Sequence, residues 1–107
     1  MPEDKLPPYL QKIIGKYPAV WNAYGQLGAA AAEAGPLDER QERLVKLAIA
    51  VGAGLQGAVH SHVRRALAAG IPAEELVHVG LLAITTIGWP SAIAALSWID
   101  EVLNAGA

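Results

Sequence analysis

The sequence predicts an all-α protein, and three observations lead to this fold class. Ala, Leu, Glu and Arg dominate between the prolines and glycines, and these residues are strong helix formers. Hydrophobic residues recur at intervals of three and four, and no stretch alternates β-branched and polar residues as a strand would. The 107 residues fit one domain. We therefore expect a six-helix bundle in a single domain over residues 1–107, with N-terminal helices in 1–36 and the core in 37–104.

The first two helices are predicted from the prolines and glycines that flank them. A short helix spans about Tyr9–Lys16. Pro18 suits the first position of a second helix, because the N–H that proline lacks has no partner inside the helix there. This second helix runs to about Glu33 and is stopped by Gly35-Pro36.

The third and fourth helices carry capping signals. Asp38 is the predicted N-cap of the third helix, with Gln41 as its capping-box partner. Gly52-Ala53-Gly54 ends or loosens this helix. The fourth helix spans about Gln56–Ala69, and Gly70 follows it as the residue that ends the helix.

The last two helices come from a stretch that is long enough to cross a membrane. Leu76–Ile99 carries no formal charge, so a transmembrane helix is one interpretation. Gly88-Trp89-Pro90 interrupts the stretch, however, and proline breaks a helix interior. We therefore predict a fifth helix opened by Pro72 and a sixth opened by Pro90 that ends near Asn104. The fifth helix is apolar on nearly every face, which predicts a central position.

Composition limits the partners and the chemistry. The chain is 53% hydrophobic and only 17% charged, so a lone domain of this size would expose apolar surface, and we expect a homo-oligomer. A net charge of −2 with scattered cations favours neither nucleic acid nor an anionic membrane. The absence of cysteine excludes thiol chemistry and disulfides. The polar N-terminus predicts no signal peptide, and we expect a cytoplasmic protein.

Four segments in order resemble the carboxymuconolactone decarboxylase and alkylhydroperoxidase D-like superfamily. They are an apolar helix at Arg43–Ala50, a histidine helix at His62–Gly70, a turn into Glu-Glu at Ile71–Leu76, and the Gly88-Trp89-Pro90 corner. The resemblance covers Leu37–Ile99. It implies an all-helical fold that assembles into trimers or hexamers, with sites near the subunit contacts.

The same resemblance shows which chemistry this chain has lost. Members of the peroxidase branch use Cys-x-x-Cys-x-x-x-His, with a Glu twelve residues before the first Cys. When the pattern is aligned on His62, the two cysteine positions fall on Leu55 and Ala58, and the Glu position falls on Arg43, beside Glu42. We therefore expect neither peroxidase nor disulfide-reductase activity.

His62 is the candidate acid/base that the resemblance retains. The unperturbed pKa of histidine is about 6.5, which suits proton transfer near neutral pH. Glu42, Arg43 and Glu75 are its possible partners in the family geometry. The alternatives for His62 are a hydrogen-bonded core or interface residue, or a metal ligand. We predict no metal site and no cofactor, because the three histidines have no recognised metal-binding spacing.

Four further residues are candidates for substrate binding. His60 lies about 200° around the helix from His62, so one chain cannot chelate a metal with both. Arg65 suits a carboxylate, although an intersubunit salt bridge is the alternative for Arg64 and Arg65. Leu55 and Trp89 are predicted to line an apolar pocket together with residues of a neighbouring subunit, and core packing is the alternative for Trp89.

Two functions follow from these candidates. The first is a cofactor-free enzyme, similar to the carboxymuconolactone decarboxylases, that performs acid/base chemistry on a small organic molecule, either neutral or anionic. The second is a non-catalytic, oligomeric binding or scaffold protein that kept the fold after losing the redox cysteines.

Overall fold

A computed structural model describes residues 6–105 and confirms the all-α fold. Residues 1–5, from which the absence of a signal peptide was predicted, lie outside the described range. Within that range the predicted helix bounds agree with the observed ones to about one residue. The helices are α1 (Pro8–Lys16), α2 (Pro18–Glu33), α3 (Glu39–Ala53), α4 (Gln56–Ala68), α5 (Ala73–Ile87) and α6 (Trp89–Ala105).

The chain forms two compact units. The first, here called the N-terminal unit, covers residues 6–39 and contains α1 and α2. The second, here called the C-terminal unit, covers residues 40–105 and contains nearly all of α3 together with α4, α5 and α6. This division lies close to the predicted boundary between residues 36 and 37.

The N-terminal unit is a helical hairpin with little interior. Helix α1 packs on α2, and the turn between them is closed by the Tyr17 N–H, which donates to the Ile13 carbonyl at 2.8 Å. Pro18 follows at the start of α2, as predicted. The rings of Trp21 and Tyr24 are in tilted contact, with centroids 5.8 Å apart. Neither helix contains a buried residue.

The hydrophobic core lies in the C-terminal unit. Helix α6 packs against both α4 and α5, and α3 adds its apolar face to the same cluster. The closest approach is at Gly80 of α5, where a Cβ atom would lie 2.6 Å from Leu96 Cδ2 of α6. The core consists of Leu47, Ala50, Val51, Val59, Val63, Ala66, Ile71, Leu76, Ala95 and Ile99.

Three helices are followed by a glycine with a positive φ, and the glycines after α4 and α5 have the largest values. Gly70 follows α4 with φ +89°, and Gly88 follows α5 with φ +95°, a region that residues with a Cβ rarely adopt. Gly88 therefore divides the uncharged stretch into α5 and α6, as predicted. No helix among the described residues is both long and apolar enough to cross a membrane.

The predicted central position of α5 is wrong for the single chain. Only Leu76 and Gly80 of this helix are buried, and Leu81 and Leu82 are exposed. The helix packs against α6 and α4, and its side chains Val77, Val79, Ala83 and Ile87 are only partly buried against the core. Hydrophobicity on all faces of a helix therefore did not mean burial on all faces within one chain.

Candidate functional site

The two histidines of α4 face different neighbours, as their spacing predicts. His60 Nε2 lies 2.8 Å from Glu101 Oε1 on α6. His62 instead lies near cations on α3 and on α4. Among residues 6–105, no three His, Asp or Glu side chains converge where they could hold a metal ion.

His62 is half-buried, and one of its ring nitrogens is fully enclosed. Nδ1 is buried and has no hydrogen-bond partner within residues 6–105. A buried N–H without an acceptor costs about 1–3 kcal/mol. The free, neutral side chain therefore favours the tautomer in which the proton is on Nε2, because a buried lone pair costs less than a buried N–H donor.

The charges around His62 favour its neutral form. Its pKa is lowered below the ordinary value of 6.5, first by burial and then by three nearby cations. Those cations are Arg65, Lys46 and Arg43, in order of decreasing effect. A low pKa keeps the imidazole unprotonated at neutral pH, and it can then accept a proton.

The cations that act on His62 come from two helices. Arg43 and Lys46 are three residues apart on α3, so they lie on the same helix face, and Arg65 is three residues after His62 on α4. All the charges that shift the His62 pKa are positive. An anion bound beside the imidazole would be attracted by this field.

Neither predicted acidic partner of His62, Glu42 or Glu75, is among the charges that shift its pKa. Glu75 forms an ion pair with Arg40 of the same chain, so its carboxylate is bound to Arg40 and not to His62. Glu42 is half-buried on α3 beside Arg43. Arg43 does act on His62, but as a permanent cation it disfavours protonation of the imidazole and cannot itself take up a proton.

His60 belongs to a polar cluster between α4 and α6. Besides the contact to His60, Glu101 Oε1 accepts a hydrogen bond from the Gln56 side-chain amide at 3.5 Å. This cluster connects the first half of α4 to the last turns of α6. Its immediate effect is to join two helices.

The predicted apolar lining is not brought together within one chain. Leu55 and Trp89 are 55% and 64% exposed. Leu55 precedes α4 at the end that contacts Glu101, whereas Trp89 begins α6, twelve residues before Glu101 and therefore about 18 Å from it along the helix axis. A pocket containing both side chains would need a second chain.

Sequence reasoning missed three residues of these clusters, namely Lys46, Glu101 and Gln56. Lys46 acts on His62, and its spacing of three from Arg43 was a signal that could have found it. Glu101 contacts His60 from forty-one residues away, and only the packing of α6 on α4 brings them together.

The fold and the site are those of an all-helical, cysteine-free protein with a half-buried histidine near cations of two helices. The model of the carboxymuconolactone decarboxylase family matches residues 18–101, and the chain belongs to this family. The match extends beyond the region in which the resemblance was recognised and includes α2. No match was found among curated proteins or among solved structures.

Proposed function

We propose that this chain is a cofactor-free enzyme that uses His62 for proton transfer on a small organic anion. The observation that carries the proposal is the state of His62, because its pKa is lowered by burial and by cations on two helices. A neutral imidazole beside positive charge can accept a proton while the cations stabilise the negative charge that develops on the substrate.

The roles of the other residues follow from their charge. Lys46 and Arg65 attract a carboxylate or an enolate oxygen to the surface beside the imidazole. For Nε2 to act as the base, the ring proton must be on Nδ1, which is buried without a partner in residues 6–105. The tautomer that can act as a base therefore leaves the Nδ1–H without an acceptor, at a cost of about 1–3 kcal/mol. This arrangement suits substrates that lose a proton from a carbon atom next to a carbonyl group.

The test uses hydrogen exchange, since it needs no knowledge of the natural product. Small 3-oxo acids and lactone carboxylic acids are incubated with the protein in D2O, and exchange of the protons next to the carbonyl is followed by NMR. We expect exchange with the wild type, its loss in His62→Gln, and a weaker apparent affinity in Arg65→Gln. His78→Gln is the matched control because it removes an exposed histidine of α5.

One observation favours the alternative, a non-catalytic binding or scaffold protein. No carboxylate in the described chain holds the His62 ring, whereas catalytic histidines are commonly oriented by such a partner. If the wild type catalyses no exchange in any compound but the His62 ring signals shift on adding these anions, the scaffold or binding interpretation replaces the enzymatic one.

A further inference from the structure

His60 is held by a carboxylate, whereas no carboxylate among residues 6–105 holds His62. Nε2 of His60 lies 2.8 Å from Oε1 of Glu101, and both residues belong to the C-terminal unit. An ionised carboxylate can only accept a hydrogen bond, so the ring nitrogen must donate it. In the neutral imidazole this contact places the proton on Nε2 and leaves the lone pair on Nδ1.

A carboxylate bound to an imidazole is the arrangement that orients a catalytic base. The carboxylate selects the tautomer and stabilises the imidazolium that forms when the ring takes up a proton. The side chain of His60 is 28% exposed and that of Glu101 is 54% exposed, so the pair is open to solvent in part. The helices that carry the pair are fixed by the core, to which Val59 and Val63 of α4 and Ile99 of α6 belong.

Gln56 adds a hydrogen-bond donor to the pair. Its side-chain amide donates to Glu101 Oε1 at 3.5 Å, and an amide nitrogen carries two N–H groups, so the other is left for a second acceptor. Gln56 lies one helical turn before His60, and residues four apart on a helix have Cβ atoms about 5–6 Å apart. The second N–H can therefore donate to the carbonyl oxygen of a molecule whose reacting carbon lies beside the imidazole.

We propose that His60, Glu101 and Gln56 form a second catalytic site, which hydrolyses small activated esters independently of His62. Nδ1 of His60 takes a proton from a water molecule while the water oxygen bonds to the carbonyl carbon of the ester. The bond from that carbon to the leaving oxygen then breaks, and the imidazolium returns the proton to the leaving oxygen. The products are a carboxylic acid and an alcohol. Glu101 touches no reacting atom and is a positioning residue.

The residues of the cluster decide the substrate class. None of the three side chains is a hydroxyl or thiol nucleophile, and one amide stabilises an oxyanion only weakly, so the ester needs a good leaving group. Aryl and enol esters meet this requirement. An uncharged ester is favoured, because the Glu101 carboxylate would repel an anion. This preference is opposite to the one proposed for His62, which lies near cations.

Hydrolysis of para-nitrophenyl acetate tests the site. His60→Gln should lower kcat by about 100-fold or more, which is the contribution of a general base. Glu101→Gln should lower kcat by about 10–100-fold and leave KM unchanged, since the carboxylate orients the imidazole and does not bind the ester. His78→Gln and Asp100→Asn are the matched controls. They remove an exposed histidine and an exposed carboxylate outside the cluster and should keep the wild-type rate.

The nitrogen NMR shifts of the His60 ring give a second test, which needs no substrate. At about pH 8 the neutral ring of the wild type should carry its proton on Nε2. Glu101→Gln should populate both tautomers, because an amide can donate as well as accept. A ring proton on Nδ1 in the wild type would overturn the proposal, even if the variants fold poorly.

The kinetic outcomes that contradict the proposal are equally distinct. A wild type that hydrolyses the ester no faster than buffer would overturn it. Equal losses in His60→Gln and His78→Gln would show the reactivity of any exposed imidazole. Loss in His62→Gln but not in His60→Gln would assign the reaction to His62. An unchanged kcat and a lower stability in Glu101→Gln would show that Glu101 only joins α4 and α6.

Discussion

Acidification should destabilise this protein through His62, and the effect can be isolated by comparing the wild type with His62→Gln. Burial and the cations of α3 and α4 lower the pKa of His62 in the folded chain, whereas the unfolded chain has the ordinary value of 6.5. Above pH 6.5 the imidazole is neutral in both states and adds no pH dependence. Below it, the unfolded chain takes up the proton first, so the free energy of unfolding falls with pH.

The size of this effect is set by one proton. Between pH 6.5 and the lowered folded pKa, the unfolded chain binds up to one proton more than the folded chain, which gives a slope of up to about 1.4 kcal/mol per pH unit. The slope disappears again once folded His62 is protonated. The loss is therefore limited to a window that begins at pH 6.5 and ends at the folded pKa below it.

Urea unfolding from about pH 8 to about pH 5 measures this difference directly. The stability of the wild type minus that of His62→Gln should be constant above pH 6.5 and should fall below it. His78→Gln is treated in the same way, to show that loss of an exposed histidine does not produce this pattern. A difference that is constant at every pH, or that rises on acidification, would refute the reasoning. The C2 proton of the His62 ring, followed by NMR in the wild type, gives the folded pKa even if the variant folds poorly.

Two more predictions concern the packing that positions the site. Gly80→Ala should be less stable than Gly52→Ala by about 1–3 kcal/mol in urea unfolding. Both substitutions raise helix propensity, but only the Cβ at position 80 would clash with Leu96. Equal stabilities would show that the α5–α6 contact adjusts to the added methyl group at little cost. Glu101→Gln should cost about 0.2–1 kcal/mol relative to Asp100→Asn, since it weakens an exposed contact to His60. Equal stabilities of the two variants would show that the contacts of Glu101 to His60 and Gln56 do not stabilise the packing of α6 on α4.

The helices and their ends were predictable from local chemistry. Pro18, Gly70 and Gly88 act on the backbone of their own turn, so their effect does not depend on distant residues. The same holds for the opposite orientation of His60 and His62, which follows from the helical repeat alone. The resemblance to the family also rests on local segments, and the match over residues 18–101 confirms it.

The environment of each candidate residue was decided by tertiary structure. Packing of α6 on α4 brings Glu101 to His60, and the ion pair with Arg40 occupies Glu75, although neither contact has a signal in local sequence. The exposed side of α5 has the same cause. A uniformly apolar helix does not specify which of its faces the same chain covers, because that depends on how many neighbours the fold provides.

The sequence by itself determined an all-helical, cysteine-free member of this family in which His62 is the remaining titratable residue of the redox motif. Only the tertiary structure decided that His62 lies half-buried among Arg43, Lys46 and Arg65. The physical reason is the range of the interactions. Helix formation and capping act within a few residues, whereas burial and Coulomb forces act between α3 and α4 and exist only once these helices have packed.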